Sequence, residues 1–252
     1  MKNLYNKYLI IISLFLSVCY LWSCTKEGFS GEGSSTGKGG SLARFAIVGN
    51  HLYTVDNTSL RVFDINNPQN PQFIKRQDLG FGIETIFPYQ DKLFLGANAG
   101  MYIIDISSPQ FPQVLSIYQH VLSCDPVAVQ NQCAYVTLRD GTNCRQGQNL
   151  LEVIDISNLI SPKLLATYPM ENPKGLGVDG SQLFVCDQGL KVFEIDMSKP
   201  WQLNQRQKLN ISNAYDVIPL GGRLLLIGSD GLYQYSYRAS QLDFISKIAV
   251  KK

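Results

Sequence analysis

The chain has 252 residues, 45% of them apolar and 17% charged, with 22 Lys and Arg against 20 Asp and Glu. The small positive excess is carried by Lys2 and Lys7, so the rest is electrically balanced, and nucleic acid, which demands many cations against phosphate, is excluded as a partner. About 210 residues follow the N-terminal segment, enough for one all-β domain with a sizeable core, and nothing marks a second domain.

Residues 1–23 hold Lys2 and Lys7, an apolar run from Tyr8 to Trp22, and Ser23 ahead of Cys24. A basic start, an apolar run short for a bilayer and a small residue at the break read as a signal peptide. The string LWSC, Leu21 to Cys24, resembles the lipobox of bacterial lipoproteins, with Trp22 in place of the usual small residue. That resemblance implies that Cys24 becomes the lipidated N-terminus, each buried CH₂ of its acyl chains contributing on the order of 0.8 kcal/mol to membrane residence. The expected address is the cell envelope, at the outer membrane, facing either the periplasm or the cell surface. Residues 24–42 are rich in Gly and Ser without apolar periodicity, which predicts a flexible linker.

From Ala43 onward one phrase repeats five times. Its second strand reads HLYTV from His51, KLFLG from Lys92, CAYVT from Cys133, QLFVC from Gln182 and RLLLI from Arg223. The central residues Tyr53, Phe94, Tyr135, Phe184 and Leu225 therefore form a column with spacings of 41, 41, 49 and 41. An apolar strand precedes each, beginning at Phe45, Ile86, Val127, Leu176 and Val217, and a strand of the type LRVFDI follows. With an outer strand each unit has four, A to D. Such a period predicts an all-β propeller of five four-stranded blades over residues 43–252. The fifth unit ends in its own outer strand, so ring closure has to come from packing of blade one on blade five. An arc completed by a partner is the alternative.

The strings FDINNPQNPQ from Phe63, IDISSPQFPQ from Ile104 and IDISNLISPK from Ile154 resemble the LVIVD repeat. The resemblance implies a β-propeller and a secreted or surface-attached protein, and implies no reaction. It fades in the fifth unit, where Ser236 replaces the acidic residue. Asp64, Asp105, Asp155 and Glu194 end the C strands ahead of Asn, Ser or Pro, and are expected to accept hydrogen bonds from turn amides rather than to form a functional ring.

The interval of 49 places extra residues, LRDGTNCRQGQN from Leu138, in the BC loop of blade three. BC and DA loops emerge on one face of a propeller, which brings Cys144 of this insertion to the side of Cys124. A disulfide between them is expected in an extracytoplasmic protein and would stabilise by roughly 3 kcal/mol on the chain-entropy model. Cys186 falls in the column of Val55 and Ile227 and reads as a small buried residue. Cys133, in the column of Lys92 and Arg223, is expected to be partly exposed. With no CxxC pair, no metal site or cofactor is expected.

The starts of the A strands and the ends of the B strands place Glu84, Asp125, Lys174 and Asp216 near the channel mouth, with Arg139 and Asp187 further out. This mixed polar face is the expected site for a protein, peptide or carbohydrate partner. No nucleophile-and-base motif accompanies His51 or His120, so the expected function is a binding module of a membrane-anchored lipoprotein, not an enzyme. The alternatives are a propeller glycoside hydrolase or lyase that uses carboxylates at the same mouth, and a purely structural envelope scaffold.

Overall fold

Alternating apolar strands separated by Gly, Asn, Asp and Pro turns pair with their immediate neighbours in sequence, so each repeat becomes one sheet. The computed structural model describes residues 39–98, 100–119, 126–140 and 148–250. All of them fall in one of the chain's two compact units, Ser34–Lys252.

Blade one is β1 (Phe45–Val48), β2 (His51–Val55), β3 (Ser59–Asp64) and β4 (Gln72–Asp78); blade two is β5 (Ile83–Tyr89), β6 (Lys92–Ala97), β7 (Gly100–Asp105) and β8 (Gln113–Gln119). Blade three is β9 (Val127–Gln130), β10 (Cys133–Leu138), β11 (Leu150–Asp155) and β12 (Lys163–Pro169). Blade four is β13 (Pro173–Asp179), β14 (Gln182–Asp187), β15 (Leu190–Ile195) and β16 (Leu203–Leu209). Blade five is β17 (Asp216–Pro219), β18 (Arg223–Gly228), β19 (Gly231–Arg238) and β20 (Gln241–Ala249). All five sheets run in sequence order and pair antiparallel, and each has the same bulge between its third and fourth strands, at Val62/Phe63 in the first and Gln234/Tyr235 in the last. A bulge in every blade adds twist at the same place, which keeps the blades superimposable.

The two parities of each second strand face neighbouring blades. Tyr53, Phe94, Tyr135 and Phe184 are at most 1% exposed, and burying each contributes on the order of 2 kcal/mol. Their face is the trailing one, turned to the next blade. The Tyr53 hydroxyl donates to the Pro109 carbonyl in blade two, and that of Tyr135 to the Pro200 carbonyl in blade four. Leu93 and Leu95, on the leading face of blade two, join Tyr53, Val55 and Val62 of blade one in a single apolar cluster. Three more clusters join blades two and three, three and four, and four and five.

Blade five and blade one share no such cluster among the described residues, so the seam expected to close the ring is not formed by them and the five described blades make an open arc. The repeat columns make the gap visible. Phe45 is 58% exposed, whereas its column mates Ile86, Val127, Leu176 and Val217 are at most 1% exposed. At the other end Ile227 is 41% exposed, against at most 7% for Val55, Thr137 and Cys186.

Candidate binding face

Where the A strands begin, β5 and β13 pair with their neighbours through irregular register, between Ile83 and Thr85 and between Pro173 and Leu176. These irregularities set Glu84 and Lys174 off the ladder. Aligned on Phe45, Ile86, Val127, Leu176 and Val217, the column at the channel mouth is Ala43, Glu84, Asp125, Lys174 and Tyr215. The Lys174 ammonium lies 4.3 Å from the centroid of the Tyr215 ring, a cation–π contact. Burial pushes this ammonium down from its ordinary range, and Arg139 adds to the effect. Burial pushes the half-buried Glu84 carboxyl up, opposed by Arg44 and Arg139. Lys174 therefore touches Tyr215 of the same column, and the charge of Arg139, expected further out, acts on both Glu84 and Lys174. Asp125 lies outside the described residues.

Asp216 does not belong to this mouth. It stands one residue after Tyr215, in the column of Arg44, Thr85 and Gly175, and a one-residue offset on a strand turns the side chain to the other side. It is 7% exposed and accepts hydrogen bonds from the Ser41 hydroxyl at 3.1 Å and the amides of Leu42 and Val217 at 3.3 and 2.9 Å. Ser41 in turn accepts the Leu176 amide at 2.7 Å. The Ala43 carbonyl accepts the Ile86 amide of blade two. Residues 40–43 therefore cross the inner channel as a clasp touching blades two, four and five. Gly40 and Gly175 are required there, since a Cβ on either would fall on the Asp216 carboxylate. Burial pushes that carboxyl up, against the hydrogen bonds of Val217, Leu42 and Ser41.

Asp187 is likewise internal, with no exposed surface. It accepts the amides of Glu171 and Asn172 and the Lys191 ammonium at 2.6 Å. Burial alone would raise its pKa, but the ammonium and the two amides hold it below the usual carboxylate range. Asp187 shares a column with Asp56, which caps the Thr58 and Ser59 amides, so both are turn anchors rather than open ligand positions.

Cys24, Cys124 and Cys144 lie outside the described residues. Cys186 is a buried free thiol, as its column predicts, but Cys133 is also buried, at 3% exposure. Its short side chain stays within the seam against blade four, where the longer Lys92 and Arg223 of the same column reach further out. Burial, with Asp155 nearby, pushes the Cys133 thiol up to about 11. Asp64, Asp105 and Asp155 each accept the amide two residues on, at 2.7–2.9 Å. In blade four that role passes to Asp196, which accepts the Ser198 amide and hydroxyl, while Glu194 pairs with Arg206.

A groove of about 740 Å³ opens on the opposite face, at the AB and CD turns, lined in part by Tyr89, Asn131, Asp155, Met197 and Trp201. Its only sequence signal is the Trp at a turn where blades two and three carry Phe111 and Ile160.

The family model of the LVIVD repeat matches residues 39–78, 93–120 and 145–169. The chain carries LVIVD repeats. Blades four and five, outside the matched segments, have the same strand order and the same bulge. Solved propeller-like structures agree. A protein from Lactobacillus plantarum is 12% identical with a TM-score of 0.63, over 80% of this chain and 69% of that one. A protein of unknown function from Desulfotomaculum acetoxidans is 10% identical with a TM-score of 0.62, over 85% and 69%. BamB from Moraxella catarrhalis is 11% identical with a TM-score of 0.54, over 81% and 62%. The chain thus spans roughly two thirds of the length of these proteins, and the likeness shows the β-propeller fold alone. Among curated protein sequences there is no match.

Proposed function

We propose that this is a membrane-anchored, extracytoplasmic lipoprotein whose LVIVD propeller is a binding module working through the mouth of its inner channel. The observation that carries the reading is the Lys174–Tyr215 contact, with Glu84 in the same column and the charge of Arg139 acting on both Glu84 and Lys174. Building a blade does not require Glu84 or Lys174 there, because the equivalent position of blade one is Ala43. Half-buried charges that remain at a rim are positioned for a polar partner, a protein, peptide or carbohydrate. The string LWSC and the Gly/Ser-rich linker support a lipid anchor at Cys24 and an envelope location.

We favour binding over hydrolysis on the described carboxyls of this face. A glycosidase needs two carboxyls about 5–10 Å apart across an open cleft. Asp187 and Asp216 are occupied by internal hydrogen bonds, and Glu84 has the cations Arg44 and Arg139 as its electrostatic neighbours.

Affinity purification of the full-length protein from detergent-solubilised envelope tests this, comparing wild type with Glu84→Lys and Lys174→Glu. Both variants are expected to lose at least tenfold of the co-purifying partner at unchanged expression. Equal recovery would overturn the assignment of this face.

A further inference from the structure

The open seam between the last and first blades has a definite shape, because the chain builds its complement four times. In every seam the second strand of one blade touches the first strand of the next: β2 on β5, β6 on β9, β10 on β13 and β14 on β17. The trailing column of Val55, Thr137 and Cys186 is buried by such a contact, and so is the leading column of Ile86, Val127, Leu176 and Val217. Blade five presents an unused trailing face with Leu225, Ile227 and Leu232, all at least partly exposed. Blade one presents an unused leading face with Phe45, Leu52 and Phe63, exposed to the same degree. Two apolar faces left open on one molecule mark an interaction surface.

We propose that the occupant is a second copy of this chain, with the trailing face of blade five on one copy packed against the leading face of blade one on the other. The two faces are the two halves of the repeat's own seam, one of each per chain, so the contact between copies is head-to-tail and covers every open face where it closes into a ring. The clasp favours a second copy over closure within one chain. Ser41, at 1% exposure, sits hydrogen-bonded to Asp216 and Leu176 with no room for a Cβ at Gly40. Residues 40–43 therefore occupy the inner space into which blades one and five would have to move to meet each other. The contact continues the blade-to-blade interface already present, with Phe45 of one copy against Ile227 of the other, as Ile86 lies with Val55 in the first seam.

Full-length chains in detergent carrying Phe45→Cys or Ile227→Cys test the pairing. Both sites are exposed, so the fold tolerates them, and circular dichroism verifies this. When differently tagged Phe45→Cys and Ile227→Cys chains are mixed and oxidised, a cross-linked species containing both tags and twice the mass of one chain is expected, at least fivefold above either variant alone. The double variant is expected to give the same doubled or larger species. Loss of the two introduced thiols without a change of mass in the double variant would show closure within one chain and overturn the proposal. Absence of a mixed-tag species would overturn it equally.

Discussion

The hydroxyl of Ser41 donates to the Asp216 carboxylate at 3.1 Å and accepts the Leu176 amide at 2.7 Å, so one residue ahead of the first blade ties blades four and five together. Ser41→Ala removes both bonds and leaves a buried amide unpaired, which costs about 1–3 kcal/mol. Denaturant titration of wild type and variant is expected to show that loss in the midpoint, with the slope unchanged.

Asp216 and Asp187 respond to pH in opposite directions. The folded Asp216 carboxyl is raised, so burial in its charged form opposes folding above the folded pKa, and this penalty disappears as pH falls below the unfolded value of about 3.9. Asp216→Asn is therefore expected to gain stability relative to wild type as pH rises from about 4 to 7. The folded Asp187 carboxyl is lowered, so its contribution is present above about 3.9 and is lost as pH falls through the folded pKa. Asp187→Asn is expected to lose most at neutral pH and to approach wild type on acidification. Thermal midpoints measured from about pH 7 down past about 3.9 separate the two signs, Asp216→Asn changing relative to wild type above that value and Asp187→Asn below it.

Breaking the buried Asp187–Lys191 pair has a larger effect than altering its charge. Asp187→Ala leaves the amides of Glu171 and Asn172 without their acceptor and the Lys191 ammonium with only the Glu171 carboxylate at 3.6 Å, and is expected to cost about 3–5 kcal/mol. Calorimetry on the purified variant checks it; a loss within 1 kcal/mol of zero, about the size of an exposed ion pair, would contradict the buried network.

The turn cap of blade four has moved two residues along the chain. Asp196→Ala is expected to lower the unfolding midpoint more than Glu194→Ala does, since only Asp196 holds the Ser198 amide. In blade three the order reverses, and Asp155→Ala is the damaging change. A paired comparison by thermal shift checks both.

Much of this molecule was legible in its sequence because a repeat supplies its own controls. The columns located the first three strands of each unit, kept Cys186 inside and assigned Asp64, Asp105 and Asp155 to turns. The same columns hid what differs at the ends. Phe45 and Ile227 look like any other blade residues, and only three-dimensional curvature decides whether the first and last faces meet. Asp216 was misplaced because the mouth column passes through Tyr215, one residue earlier, and a strand alternates at every residue. The Trp201 groove was illegible for another reason: it is shared by turns of three blades, and no single repeat contains it.

Lipidation has a direct expectation. Cys24→Ser is expected to move the protein from the membrane pellet to the soluble envelope fraction, with the propeller's thermal midpoint unchanged. Retention in the pellet after a high-salt wash would contradict an anchor at Cys24.

The two faces of the propeller can be compared in one measurement. A photo-reactive phenylalanine analogue is placed at Tyr215, beside Lys174 at the mouth, or at Trp201, in the groove on the opposite face; these residues are 41% and 37% exposed. Irradiation of intact cells expressing each full-length variant is predicted to trap a partner at Tyr215, with the adduct lost when Lys174→Glu is added. An adduct formed at Trp201 and absent at Tyr215 would contradict the mouth as the binding face.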